Sequence, residues 1–192
     1  MDLKNDLGAV DYSSNALELF MEHLQQRPKR DLLDVGPVCQ ENIRFFANRV
    51  KKLYVCDMFI RLDRSLREGS PVYQIWDKLD YPPESFDGIL LWELADRLDD
   101  PDVKGLVTLC HTLLRSGGMA MIVVLGEQSG SSAVNAFVVG QNYRVHLRPQ
   151  PHLHLPLRSR QNRDVLSMMA PFIPAKSFIC RPGFMEFLFR RE

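Results

Sequence analysis

Several acids in this chain stand where a polar ligand can be held. Asp34, Asp57 and Asp77 sit at or near the end of short apolar runs, in DLLDVG (31–36), KLYVCD (52–57) and VYQIWD (72–77). A carboxylate at the end of a buried strand is costly unless it is solvated or partnered. Each therefore faces a ligand or satisfies the backbone that follows it. Asp57 is placed to cap a helix at 58–68, and Asp34 to cap its own loop. Gly36 follows Asp34 by two residues, and Trp92 and Glu93 come at the end of a fourth apolar run, FDGILLW (86–92).

Other polar groups have plainer readings. Asp96, Asp99, Asp100 and Asp102 read as a solvated loop and helix cap. His152 and His154 would share one face of an extended segment, without an evident third metal ligand. With His146 they are also the histidines available as a general base near neutral pH. Cys39, Cys56, Cys110 and Cys180 lie in or beside apolar runs without a CxxC spacing, so they read as reduced, mostly buried thiols. The sequence has no Ser-His-Asp or phosphate-loop motif.

The elements that must position these residues follow from hydrophobic periodicity. A helix is predicted at 13–27, capped by Ser13 or Ser14 and stopped by Pro28. Strands at 31–36, 52–57, 72–77, 86–92 and 119–125 alternate with helices at 40–50, 58–68 and 102–115. The helix at 40–50 should bury Ile43, Phe46, Ala47 and Val50. Residues 126–163 lack clear periodicity, with a short helix or strand at 134–139 or 143–147. A last helix over 163–170 precedes strands at 175–181 and 184–191, joined by Pro182-Gly183 and expected to pair antiparallel. Alternating strands and helices indicate a doubly wound α/β sheet.

Composition bounds the rest. The chain has 192 residues, 45% hydrophobic and 25% charged, with a formal net charge of zero. That fits a single globular domain: a helix at 1–30, a core at 31–125, a variable region at 126–163 and a final helix and hairpin at 164–192. There is no run of 18 apolar residues and no leader pattern, so the expectation is a cytoplasmic protein without membrane insertion. The neutral total hides an asymmetry. Residues 1–143 carry 15 Lys and Arg against 21 Asp and Glu, whereas residues 144–192 carry 9 against 3. This argues against a general nucleic-acid coat, and leaves a local basic surface for an anionic partner.

Two stretches carry a family resemblance. Asp31-Leu32-Leu33-Asp34-Val35-Gly36 resembles the first strand and glycine loop of class I S-adenosylmethionine-dependent methyltransferases of the type 11-like kind. Residues 83–101, with Phe86-Asp87 and Trp92-Glu93-Leu94, are similar to that family's fourth-strand segment. They run on into Leu113-Leu114-Arg115-Ser116-Gly117-Gly118 before the fifth strand. The resemblance implies a mostly parallel seven-stranded sheet with an antiparallel C-terminal hairpin. It implies S-adenosylmethionine as cofactor, bound by Asp34, Gly36, Pro37, Val38, Asp57, Met58, Asp77 and Trp92. In that scheme Asp57 takes the ribose hydroxyls and Asp77 lies by the adenine. The methyl acceptor is unidentified, with an anionic one suggested by the basic region. The family's D/E-x-G-x-G-x-G pattern reads here Asp34-Val35-Gly36-Pro37-Val38-Cys39-Gln40, keeping only the first glycine. That departure motivates an alternative, a catalytically inactive scaffold for a protein partner or a homodimer.

Overall fold

A computed structural model describes residues 11–126, 133–180 and 183–192. Strand β1 (Asp11–Ser13) leads into α1 (Asn15–Gln25), whose N-cap is Ser14, with its hydroxyl accepting from Leu17 N at 3.0 Å. Then come β2 (Asp31–Asp34), α2 (Gln40–Ala47), β3 (Lys52–Val55) and α3 (Met58–Glu68). A 3-10 helix (Val72–Leu79) precedes β4 (Phe86–Trp92), and a short 3-10 turn (Leu94–Arg97) precedes α4 (Asp100–Leu113) and β5 (Leu114–Val124). The chain continues through β6 (Ala133–Val139), β7 (Arg144–His154), α5 (Asn162–Met168), β8 (Ile173–Ile179) and β9 (Met185–Arg190).

Among the described residues the main sheet has six strands in the order β3-β2-β4-β5-β9-β8, rather than the seven expected. The first four run parallel, and β9 and β8 add an antiparallel hairpin. The missing strand is the run at 72–77, which is the 3-10 helix instead. Its apolar residues Val72, Ile75, Trp76 and Leu79 recur at helical spacing, and Ile75 and Leu79 are buried. That period outweighs the β-branched composition of its start.

Successive strand residues face opposite layers. Leu32, Leu90, Met121 and Leu188 pack under α1 and α2, while Leu33, Ile89, Ile122 and Phe187 pack under α3, α4 and α5. Helix α2 is turned by about one residue from the predicted face: Asn42, Phe45 and Phe46 are buried, while Ile43 and Ala47 are exposed. At the amino-terminal edge Asp87, almost fully buried, gathers the strand starts. It accepts from Asp31 N at 3.0 Å and from Arg115 at 2.8 Å.

Residues 133–154 form two strands where the sequence suggests only a short helix or strand. Strands β6 and β7 pair antiparallel, and β1 joins the far side of β7. This second sheet, in the order β1-β7-β6, lies across the carboxyl edge of the main sheet, where Phe137 stacks on Trp92 and Asn135 N donates to Glu93. The expected hairpin forms between β8 and β9, with Ile179 opposite Met185. Pro182 of the predicted turn lies outside the described residues. Among the described residues no helix is long and apolar enough to cross a membrane.

Candidate functional site

Strand β2 has β3 on one side and β4 on the other, so the chain winds in opposite directions from β2. The crevice between the carboxyl ends of β2 and β4 is where open parallel sheets take their ligands. Asp34 ends β2 and Trp92 ends β4, and the two meet there. The Trp92 Nε1–H donates to Asp34 Oδ1 at 2.7 Å, and the Gly36 backbone N–H donates to the same oxygen at 3.0 Å. Burial pushes the Asp34 carboxyl up to about 6, against the opposing pull of these two bonds.

Trp92 is held in an uncommon conformation. Its φ is +49°, at a point where the pairing of β4 with β5 slips between Leu90 and Trp92. A bulky residue at positive φ is strained, and such strain persists where the surroundings over-determine it. Here they do. The indole stacks on Phe137 of β6, with ring centroids 5.4 Å apart. It also lies so close over Gly36 that a Cβ there would come within 2.4 Å of Trp92 Cδ1. Gly36 thus leaves room for the chain's own tryptophan.

The second group lies one strand away. Asp57 caps α3, its Oδ1 accepting from Ile60 N at 3.0 Å, and its Oδ2 accepts from Val38 N at 3.3 Å. The capping and site readings are therefore compatible in this one residue. Burial raises its pKa, opposed by these backbone bonds. Pro37 is buried and Val38 is 57% exposed on the loop beside it. Two predicted site residues are elsewhere. Met58 is fully buried in the core, accepting from the Cys56 thiol at 3.6 Å. Asp77 is exposed on the 3-10 helix and ends no strand, because the expected third strand does not form.

A polar network that sequence reasoning missed pins the second sheet in place. Asn42 of α2 donates to Phe137 O at 2.9 Å and accepts from Val139 N at 2.8 Å. Glu93 accepts from Asn135 N at 2.7 Å and from Arg97 at 3.1 Å, and Arg97 also donates to Ala133 O and Leu155 O. Asp96 was expected in a solvated string but is buried. Its Oδ2 accepts from Leu125 N at 2.7 Å, Oδ1 has no hydrogen-bond partner, and burial pushes the carboxyl up to about 7. Arg160 lies beside it, donating to Ala95 O, Leu98 O and Asp100. The available signal was the i, i+4 spacing of Glu93 and Arg97 just after an apolar strand.

No family model matches this chain, and no curated protein matches it in sequence. Its architecture has clear counterparts among solved structures. A 1,6-didemethyltoxoflavin-N1-methyltransferase from Burkholderia thailandensis, solved with that substrate and S-adenosylhomocysteine, superposes with a TM-score of 0.55. The two are 16% identical over 92% of this chain and 76% of that one. An S-adenosylmethionine-dependent methyltransferase from Mesorhizobium loti gives 0.56 at 15% identity, over 84% of this chain and 90% of that one. The N-methyltransferase NodS from Bradyrhizobium japonicum gives 0.52 at 12% identity, over 84% and 85%. The fold of this chain is the class I S-adenosylmethionine-dependent methyltransferase fold.

Proposed function

We propose that the chain is an S-adenosylmethionine-dependent methyltransferase that uses the β2–β4 crevice, with an acceptor still to be identified. The observation that carries this reading is the convergence of Asp34, Gly36 and Asp57 on one edge at the topological switch point. The B. thailandensis relative of this fold, solved with S-adenosylhomocysteine, supports the choice of cofactor. Asp57 fits a ribose: its carboxylate takes the backbone N–H groups of Val38, Ile60 and Phe59, and its remaining acceptor capacity is left for a hydroxyl. Asp34 and the Gly36 backbone border the methionine end. S-adenosylmethionine, when bound, supplies a sulfonium methyl group open to in-line attack by a nucleophile. The chain's own task is to orient the acceptor and exclude water. In this reading the indole of Trp92 moves off Gly36 to admit the cofactor.

The close seat of Trp92 over Gly36 favours a second reading, in which the indole fills the cofactor space permanently and the fold serves as a scaffold. Titration calorimetry with S-adenosylmethionine and S-adenosylhomocysteine separates the two. The first reading expects saturable binding by the wild type, weakened at least about tenfold by Asp57→Ala, the loss of a bond of roughly 1.4 kcal/mol. If the folded wild type and Trp92→Ala both fail to bind either ligand, the methyltransferase reading is wrong. Binding gained only in Trp92→Ala means that the crevice is intact and the indole blocks it.

A further inference from the structure

A cavity of about 520 Å³ opens on the amino-terminal edge of the main sheet, the edge opposite the crevice. Lys29 lines it from the turn before β2, Lys51 and Lys52 from the turn into β3, and Tyr81 from the loop before β4. Tyr54 of β3 and Arg115 of β5 complete the wall. The lysine-bearing turns are fixed side by side. The Arg30 carbonyl accepts from Lys51 N at 3.1 Å, and Lys52 stands next to Asp31 in the parallel register of β2 and β3. The loop before β4 is closed by its own bonds: Ser85 Oγ donates to Pro82 O at 2.6 Å and Glu84 N to Thr112 O at 3.0 Å.

The charges on this lining do not cancel. Its two acids are already held by arginines: Arg115 donates to Asp31 at 2.9 Å, and Arg191 pairs with Glu84 at 3.1 Å. Arg115 also donates to Asp87 and to Ser85 O. Lys29, Lys51 and Lys52 are exposed, and among the described residues none of them pairs with an acid. Three ammonium groups thus line one concavity without a counter-charge. They come from the part of the chain that is net acidic, and not from the basic segment 144–192. Beside them Tyr54 and Tyr81 meet edge to face, with ring centroids 5.5 Å apart, and both rings are only half-buried. A volume of this size is that of a small-molecule site.

We infer that this cavity binds a small phosphate monoester, with its phosphate on Lys29, Lys51 and Lys52 and its apolar body against Tyr54 and Tyr81. Lysine binds phosphate as a point charge, and a monoester carries about two negative charges at neutral pH, so three ammonium groups match it better than they match a single carboxylate. The aromatic walls add apolar contact that inorganic phosphate cannot use. The inference does not depend on the methyl donor, because the cavity and the crevice lie at opposite ends of the parallel strands.

The test is calorimetric titration of the full chain, at low salt, with phenyl phosphate and separately with inorganic phosphate. The wild type should bind phenyl phosphate saturably, and at least about threefold more tightly than inorganic phosphate. Lys51→Glu combined with Lys52→Glu should weaken phenyl phosphate binding at least about tenfold, the loss of charge-assisted contacts. Lys29→Glu alone should weaken it about threefold, and it decides the matter if the double variant does not fold. The same charge change made elsewhere, Lys104→Glu with Lys176→Glu at exposed positions, should leave binding unchanged. No phenyl phosphate binding, binding no tighter than that of inorganic phosphate, or binding that the folded lining variants weaken no more than the Lys104 and Lys176 pair does would overturn the inference.

Discussion

Asp34 shows how one residue serves two purposes at a strand end. Its carboxylate closes the turn at Gly36 and holds the Trp92 indole, yet burial disfavours its charge. The sign of the resulting pH effect follows from linkage. The folded-state pKa, about 6, lies above the unfolded value of 3.8, so the folded chain binds more protons between those limits. This group therefore lowers stability as pH rises from about 4 to 6, and the whole penalty is present above that. Asp34→Asn removes the charge. Its stability relative to wild type should improve by up to about 3 kcal/mol between pH 4 and pH 8. Denaturant melts at the two pH values measure this, and a difference that does not change with pH would refute it. The two functional readings also meet at this scale, since Gly36 has no side chain whether its neighbour is a ligand or an indole.

At the scale of elements, the second sheet is fastened by side chains that bond to backbone. Asn42 is the clearest case. One side chain on α2 satisfies a carbonyl and an N–H of β6, and removing it strands both buried groups. Asn42→Ala should cost about 2–4 kcal/mol, more than the typical exposed polar substitution, and guanidinium unfolding checks it. A loss below about 1 kcal/mol would mean that β6 is held without it. The same residue explains why α2 was misjudged from sequence. A face chosen by hydrophobicity excludes an asparagine, but its amide is the group that β6 requires, so the helix turns to present it. The run at 72–77 goes the other way: its start with Val and Tyr suggests a strand, but its apolar period is helical and it forms part of the 3-10 helix.

Across the whole molecule, folding pairs five arginines of the basic segment with acids of the rest of the chain. Arg144 pairs with Asp11, Arg148 with Glu41, Arg158 with Asp99, Arg160 with Asp100 and Arg191 with Glu84. The basic segment 144–192 thus lies against acids of residues 1–143, and these arginines are not gathered into a free cationic surface. Stability is also distributed unevenly. Strand β4 is buried along its whole length and β5 along most of it, whereas β8 is an edge strand with four consecutive exposed residues. Native-state hydrogen exchange should find the β4 and β5 amides opening only with global unfolding, and β8 opening first among the strands of the main sheet. Equal protection of β8 and β5 would contradict this ranking.

The order of helices and strands from 31 to 125, apart from the run at 72–79, was legible in the sequence because each element buries a periodic apolar face, and period is a local property. The acids at the ends of β2 and β3 were legible for the same reason: a carboxylate that closes an apolar run must have a partner. Which partner it takes is not local. Asp34 meets Trp92 58 residues away, Asn42 meets Phe137 95 residues away, and Glu186 meets Tyr12 174 residues away. No window of the sequence contains both members of such a pair. Only the tertiary structure decided that an indole lies over the glycine, that β6 and β7 join β1 in a second sheet across the carboxyl edge, and that a glutamate of β9 is buried against Tyr12 and Ser14.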